Sequence, residues 1–246
     1  MNYLDKLVNS LNKYPLTIIQ FNEILQKSDT FFDNIELEKE LLIANGLPLY
    51  FFNEYVMLKT STSLIEDQTF CIVDIETTAG NAKDGQIIEI GAVKYKNGQI
   101  IEKYDSLVNT RTIPENIQEL TGITPEMTHN SPNLRTVLEE FKVFIEDDVF
   151  VAHAIAFDYK FISDSFKKYD LGNLCNRKIC TIALSKKLIV CERYGLKYLK
   201  KHLNIDIETH HRAYSDALST QKILEFCLSR LPKEIVTTEN LIAFTQ

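Results

Sequence analysis

The stretch CIVDIETTAG, residues 71–80, puts two carboxylates, Asp74 and Glu76, into a run that otherwise reads as a buried strand. Side chains at i and i+2 of a strand point to the same face, so these acids share a direction. Ile72, Val73 and Ile75 beside them suit a sheet interior. Two like charges in an apolar element repel each other and lose hydration, so the expectation is a cation close to both. Two more acids raise the same question. Asp158, in AHAIAFDYKF, directly follows a short apolar run and opens a helix; Asp216, in HHRAYSDAL, lies in what reads as the last helix. Taken singly, each is explained as a helix opener or a solvated helix acid.

The elements that must position these acids can be read from periodicity. Strands are expected at 70–76, 87–95 and 100–108, the last two joined by Lys96-Asn97-Gly98, an Asn-Gly hairpin signal, so the three should be antiparallel neighbours. Helices follow at 114–120, stopped by Gly122, and at 132–145, with Ser131 as cap and Pro132 in first place. A fourth strand at 149–152, a helix at 158–169, a short fifth strand at 179–181 and helices at 196–203 and 214–228 complete a mixed sheet covered on both faces. Residues 1–64 read differently, with helical spacing at 3–13, 17–26 and 36–45 and then a hairpin in LYFFNEYVMLK turning at Asn53 and Glu54. Three helices and a hairpin resemble a winged-helix module. The region is net acidic, which suits docking or structural support better than phosphate binding.

Composition narrows the class. With 45% hydrophobic and 25% charged residues and few glycines or prolines, the chain has the profile of a globular protein rather than a disordered one. The first residues carry no basic-then-apolar leader, and no run approaches a membrane span, so a soluble, cytoplasmic protein is expected. Five cysteines without a CxxC pair indicate free thiols, not a disulfide framework or a zinc knuckle. The net charge of −7 argues against a protein coated in nucleic acid, yet residues 157–202 are rich in lysine and could face a polyanion. Solvated helix faces explain most of these lysines equally well.

Three short motifs, in order, resemble the histidine branch of the DnaQ-like 3′-to-5′ exonucleases: Asp74-Ile75-Glu76-Thr77, Phe157-Asp158, and His211 followed at the proper interval by Asp216. The likeness spans about 68–230, includes Glu119-Leu120-Thr121-Gly122-Ile123-Thr124 and His211-Arg212-Ala213, and is nearest to the proofreading epsilon subunit of bacterial DNA polymerase III. It implies an RNase H-like α/β fold, a mixed five-stranded sheet at 65–246 preceded by the small helical domain at 1–64. It also implies hydrolysis at DNA 3′ ends, single-stranded or frayed, with release of nucleoside monophosphates. Phosphodiester cleavage needs an activated water and a stabilised leaving oxygen, which two hard divalent cations, Mg²⁺ or Mn²⁺, supply through carboxylate ligands. By the resemblance, Asp74 bridges both ions, Glu76 and Asp216 serve the nucleophile side, and Asp158 serves the second ion. His211 is the general base, since imidazole takes protons near neutral pH. His210 is one residue too far from Asp216 for the motif and reads as a loop residue. Thr77, Phe157 and His153 are the expected substrate contacts, with Thr77 alternatively supporting the turn at 78–80 and His153 alternatively structural.

One position departs from the pattern: relatives often carry His-Asn in the second motif, and here Ala154 follows His153. Expected partners are DNA polymerase III and, through residues 239–244, a sliding clamp, although Glu239 stands where a clamp peptide has Gln. The alternative for this tail is a short amphipathic helix capped by Thr238 that packs Leu241, Ile242 and Phe244 on the domain. Two rival functions are an RNA-trimming exonuclease, which the motifs do not separate from a DNA enzyme, and a catalytically weak scaffold that recruits a polymerase.

Overall fold

The computed structural model describes residues 3–27, 34–207 and 211–246. In the first sixty residues the expected elements form: α1 (Tyr3–Leu11), α2 (Ile18–Gln26), α3 (Ile35–Ala44) and a hairpin of β2 (Leu49–Phe52) and β3 (Tyr55–Leu58). Thr17 begins α2 through a capping box with Gln20, and Asn34 caps α3. The two-residue hairpin turn puts Asn53 at φ 53°, a conformation Asn tolerates. A short strand not foreseen, β1 (Leu16–Thr17), pairs with β3, giving the order β1-β3-β2. Two residues are too few to show a period of two, so nothing in the sequence marks it.

The core of this module holds Leu7, Leu11, Phe21, Leu25, Leu42, Val56 and Leu58, and also Cys175 from far along the chain. The module is therefore packed against the rest. Cys175 N–H donates to the Asn45 carbonyl at 2.8 Å, and Lys142 Nζ donates to Asn45 Oδ1 at 2.9 Å. Lys59 pairs with Asp147, and Thr60 Oγ1 donates to Glu239 Oε1 at 2.6 Å.

The larger sheet begins with an antiparallel meander of β4 (Phe70–Thr77), β5 (Ile87–Lys96) and β6 (Gln99–Leu107). α4 (Glu115–Thr121), α5 (Pro125–Thr128) and α6 (Leu134–Ile145) lead to β7 (Val149–Ala152), which pairs parallel to β4. α7 (Ala156–Lys168) crosses to β8 (Lys178–Cys180), parallel to β7, and the order is β6-β5-β4-β7-β8. α8 (Thr181–Leu188), α9 (Leu196–His202), α10 (Ala213–Leu228) and α11 (Thr238–Phe244) follow. Helices cover both faces. Cys71, Val73 and Ile75 of β4 pack with Val137 and Phe141 of α6 and Phe161 and Ile162 of α7. Phe70 and Ile72 pack on the other side with Leu184, Leu199, Ala217, Ile223, Leu224 and Leu241. The expected mixed five-stranded α/β sheet is this sheet.

Several boundaries differ from expectation. α6 starts two residues late because Asn133, not Ser131, caps it, its Oδ1 accepting Thr136 N–H at 3.1 Å. Ser131 is used by the preceding turn, its N–H bonded to the Thr128 carbonyl. Three residues separate β7 from α7, so Asp158 is the third residue of its helix and not its opener. α5 and α8 were not anticipated: the first is a single turn, and the second follows β8 with no turn residue between them. α10 is not the last helix. α11, capped by Thr237 rather than Thr238, buries Leu241 and Ile242, seats Phe244 under Lys187 Nζ, and pairs Glu239 with Arg177 at 2.7 Å. The tail thus takes the packed arrangement. Among the described residues, no helix is long and apolar enough to cross a membrane.

Candidate active site

The alternation of β4 sends Asp74 and Glu76 to the face that Phe70 and Ile72 share with α10. Opposite them on β5, Gly91 pairs with Asp74 and Glu89 with Glu76. A Cβ at Gly91 would stand 2.1 Å from Tyr214 N and 2.3 Å from the Ala213 carbonyl carbon. The absence of a side chain there lets the first turn of α10 rest directly on the sheet, which brings Asp216 to the strand acids. Asp158 arrives from the first turn of α7 beyond the end of β7. Ligand atoms of Glu76, His211 and Asp216 lie within 4.8 Å of one another. His211 is exposed, has φ 58°, and donates its backbone N–H to Asp216 Oδ2 at 3.2 Å. The acids of all three motifs and His211 therefore meet at one place.

Electrostatics register the crowding. Burial, then the charges of Asp158, Asp216, Glu76 and Glu89, push the Asp74 carboxyl well above the usual range. Burial, followed by Asp216, Glu89 and Asp158, pushes Glu76 up to about 8. Asp158, only 4% exposed, is raised to about 7 by burial, against the pull of the backbone N–H groups of Asp158 itself and Ile75. Acids this close stay neutral unless a cation joins them. The donor set at their meeting point is oxygen, with one imidazole at the rim, as hard divalent ions prefer.

The remaining expected residues have other surroundings. Thr77 is buried next to a β-bulge, its hydroxyl donating to the Ala79 carbonyl at 2.8 Å, so it ties down the turn after β4. Phe157 is 40% exposed beside Asp158 and leans on Phe161. Both ring nitrogens of His153 are occupied, one by Thr181 Oγ1 and one by the Tyr194 carbonyl, each at 2.9 Å, and burial pushes its pKa down to about 4. His153 thus links β7 to the segment before α9. Ala154 has φ 66°, a left-handed conformation that Asn adopts with little strain and Ala does not, a physical reason for Asn at this position in relatives. His210 lies outside the described residues.

Three residues near the acids were not singled out from the sequence. Glu89 is 1% exposed and binds Arg212 through both Nε and Nη2, at 3.0 and 2.6 Å, while Ala213 N–H donates to its Oε2 at 2.8 Å. Gly91 provides the space for α10. Lys200, buried in α9, donates to the Ile207 carbonyl at 2.8 Å and feels the charge of Asp216. For Glu89 a signal existed: an acid inside the apolar run IIEIGAV raises the same question as Asp74.

Known proteins resemble this arrangement. A family model described as Exonuclease matches residues 71–224. The DNA polymerase III PolC-type protein of Clostridium perfringens is 38% identical over 172 residues, 69% of this chain and 12% of that protein. Its counterpart from Thermotoga maritima is 39% identical over 162 residues, 65% of this chain and 12% of that one. The chain thus spans about an eighth of the length of these relatives. Among solved structures, E. coli exonuclease I in complex with a dA16 oligonucleotide superposes with TM-score 0.59 at 15% identity, over 68% of this chain and 42% of that one. Exonuclease X in complex with 5′ overhanging duplex DNA superposes with TM-score 0.58 at 24% identity, over 72% of this chain and 99% of that one. At these identities the two structures speak for the fold.

Proposed function

The chain belongs to the exonuclease family whose model spans residues 71–224, and from that premise we propose that it hydrolyses nucleotides one at a time from the 3′ end of a DNA strand, releasing nucleoside monophosphates. The observation that carries this reading is the convergence of Asp74, Glu76, Asp158 and Asp216 with His211 at the rim. The four carboxylates fit divalent cations of the Mg²⁺ or Mn²⁺ type: they offer hard oxygen donors, burial and the neighbouring acids raise Asp74 and Glu76, burial raises Asp158, and the site opens partly to solvent at Asp74 and Glu76. When bound, two such ions stabilise the attacking and leaving oxygens of the phosphodiester.

The protein's own groups do the rest. Asp74, Glu76 and Asp216 would hold an ion beside His211, and Asp74 with Asp158 would hold a second. A ring nitrogen of exposed His211 takes the proton of the attacking water. The bond from the His211 backbone to Asp216 keeps that base near the acids. Phe157 offers an exposed ring on which the terminal base stacks, worth about 1–3 kcal/mol and indifferent to sequence. A single-stranded or frayed end suits this, because a stacked duplex terminus has no free base face to offer. Thr77 supports the site by holding the turn after β4, and His153 by tying β7 to the segment before α9.

Residues 1–64 form an accessory module and 65–246 the nuclease domain. The relatives' name supports work beside a DNA polymerase III, and proofreading or repair is the corresponding role. The test is degradation of 5′-labelled single-stranded DNA and RNA, and of matched and mismatched primer-templates, with Mg²⁺ or Mn²⁺ and with chelator. Stepwise shortening of DNA from the 3′ end, abolished by chelation and by Asp74→Ala in a folded protein, is expected. Undiminished cleavage in chelator would refute the cation reading, and preference for RNA would move the substrate class.

A further inference from the structure

Arg212, which precedes α10, makes no side-chain cap to its helix. The cap comes from the sheet instead: Glu89 of β5 accepts the N–H of Ala213, the first residue of α10, at 2.8 Å. The same carboxylate holds the guanidinium of Arg212 through two nitrogens, a planar fork that fixes orientation as well as distance. Burying a charged carboxylate is costly unless it is paired and hydrogen-bonded, and Glu89 at 1% exposure is both. Its register matters too, since it faces Glu76 across the β4–β5 ladder, so the strand pair that carries one acid also grips the helix that carries another.

His211 lies one residue before this grip and Asp216 one helical turn after it. His211 also occupies the left-handed region, which a non-glycine residue holds only where its surroundings impose it. On the other side, Lys200 secures the chain at the Ile207 carbonyl. Between these two attachments, Glu89 is the one that bonds the residues adjoining His211.

Resting on the proposed nuclease reading, we infer that Glu89 is a positioning residue: by clamping Arg212 and the start of α10 it sets the placement of His211 and Asp216 against the β4 acids. Glu89 touches neither substrate nor cation in this role. Loosening the clamp displaces the base by a fraction of its reach to the water, and a misplacement of about 1 Å costs on the order of 10²-fold in rate. Substrate held by Phe157 and the rest of the pocket is bound as before.

The experiment uses Glu89→Gln, which keeps the shape but can no longer accept from Arg212 and Ala213 together, and Glu89→Asp, which keeps the charge but shortens the reach. Both are assayed with His211→Ala and the Glu89→Gln/His211→Ala double variant, on a 5′-labelled oligodeoxynucleotide with Mn²⁺, well below each protein's melting temperature. The expected result is a fall in kcat of about 10- to 100-fold for Glu89→Gln with KM within about 2-fold. Glu89→Asp should fall between Glu89→Gln and wild type, and the double variant should lose clearly less than the product of the two single losses, because the two substitutions act partly on the same base. A purely structural role would lower the melting temperature and leave kcat of the folded protein unchanged, and a role independent of the base would multiply its loss with that of His211→Ala; either result overturns the inference. If Glu89→Gln does not fold, the inference is judged on Glu89→Asp and its double with His211→Ala by the same criteria. Wild-type protein without cation-dependent cleavage would overturn the nuclease reading and this inference with it, whereas an active wild type with an equally active Glu89→Gln overturns the inference alone.

Discussion

Removing the charge of Asp158 should stabilise the cation-free protein at neutral pH, less so at pH 5, and almost not at all below about pH 4. Asp158 is buried, and its carboxyl rises from an ordinary 3.8 to about 7 in the folded state. A carboxyl with a raised folded pKa holds its proton more tightly in the native state than in the unfolded chain. Its contribution to stability is complete below about pH 4 and is lost as pH climbs through about 7. Each pKa unit corresponds to about 1.36 kcal/mol, so between pH 5 and 7 the folded protein loses up to roughly 3 kcal/mol at this one group. That is an upper figure, because Asp74 and Glu76 relax when Asp158 is neutral. The wild-type pH profile alone would hide the effect. Buried His153, pushed down to about 4, contributes a slope of opposite sign, its stabilisation growing as pH rises between about 4 and 6.5. His153 is common to wild type and Asp158→Asn, so the difference between their melting curves isolates Asp158. Melting both proteins in chelator from pH 5 to 7.5 should show the variant's advantage growing by about 5–10 °C, taking about 2–4 °C per kcal/mol for a chain of this size. Saturating Mg²⁺ should then raise the melting temperature of wild type more than that of the variant, because a cation that binds only the folded state stabilises it by mass action. A melting difference that is flat across this range, or that shrinks as pH rises, would mean that the acids are neither desolvated nor crowded, and the electrostatic argument for a cation site would fail.

Three further outcomes are expected. His211→Ala should lower kcat by about 10²- to 10⁴-fold in the oligonucleotide assay with little change in KM, while His210→Ala stays near wild type; equal losses would mean that the base is misassigned. Gly91→Ala would drive a methyl group into the backbone of α10 at Ala213 and Tyr214, so it should cost at least about 1–3 kcal/mol in denaturant unfolding and depress activity as well. A stable, fully active Gly91→Ala would show that the helix start can shift without consequence. Ala154→Asn, which suits the left-handed backbone at φ 66°, should gain about 1 kcal/mol, read as a small rise in melting temperature, and an unchanged or lowered value would remove strain as the account of that position.

The sequence by itself determined the parts of this protein that depend on local spacing. The i, i+2 placement of Asp74 and Glu76, the Asn-Gly turn that makes β5 and β6 neighbours, and the three motifs with their order were all legible. So were the mixed sheet and its strands, because apolar period and turn chemistry act over a few residues. The alternative of a packed tail was legible too, although helix spacing in residues 239–244 could not say whether Phe244 meets a partner or the domain. Tertiary structure decided that, by packing Phe244 against the core on this face beneath Lys187 and offering an Arg177 to hold Glu239. It also decided the meeting of Asp216 with Asp74 and the capping of α10 by Glu89. These contacts join residues more than a hundred positions apart, and no periodicity reaches that far. They exist because Gly91 lacks a side chain where the helix must touch the sheet, and because a carboxylate buried on β5 needs donors, which the start of α10 supplies.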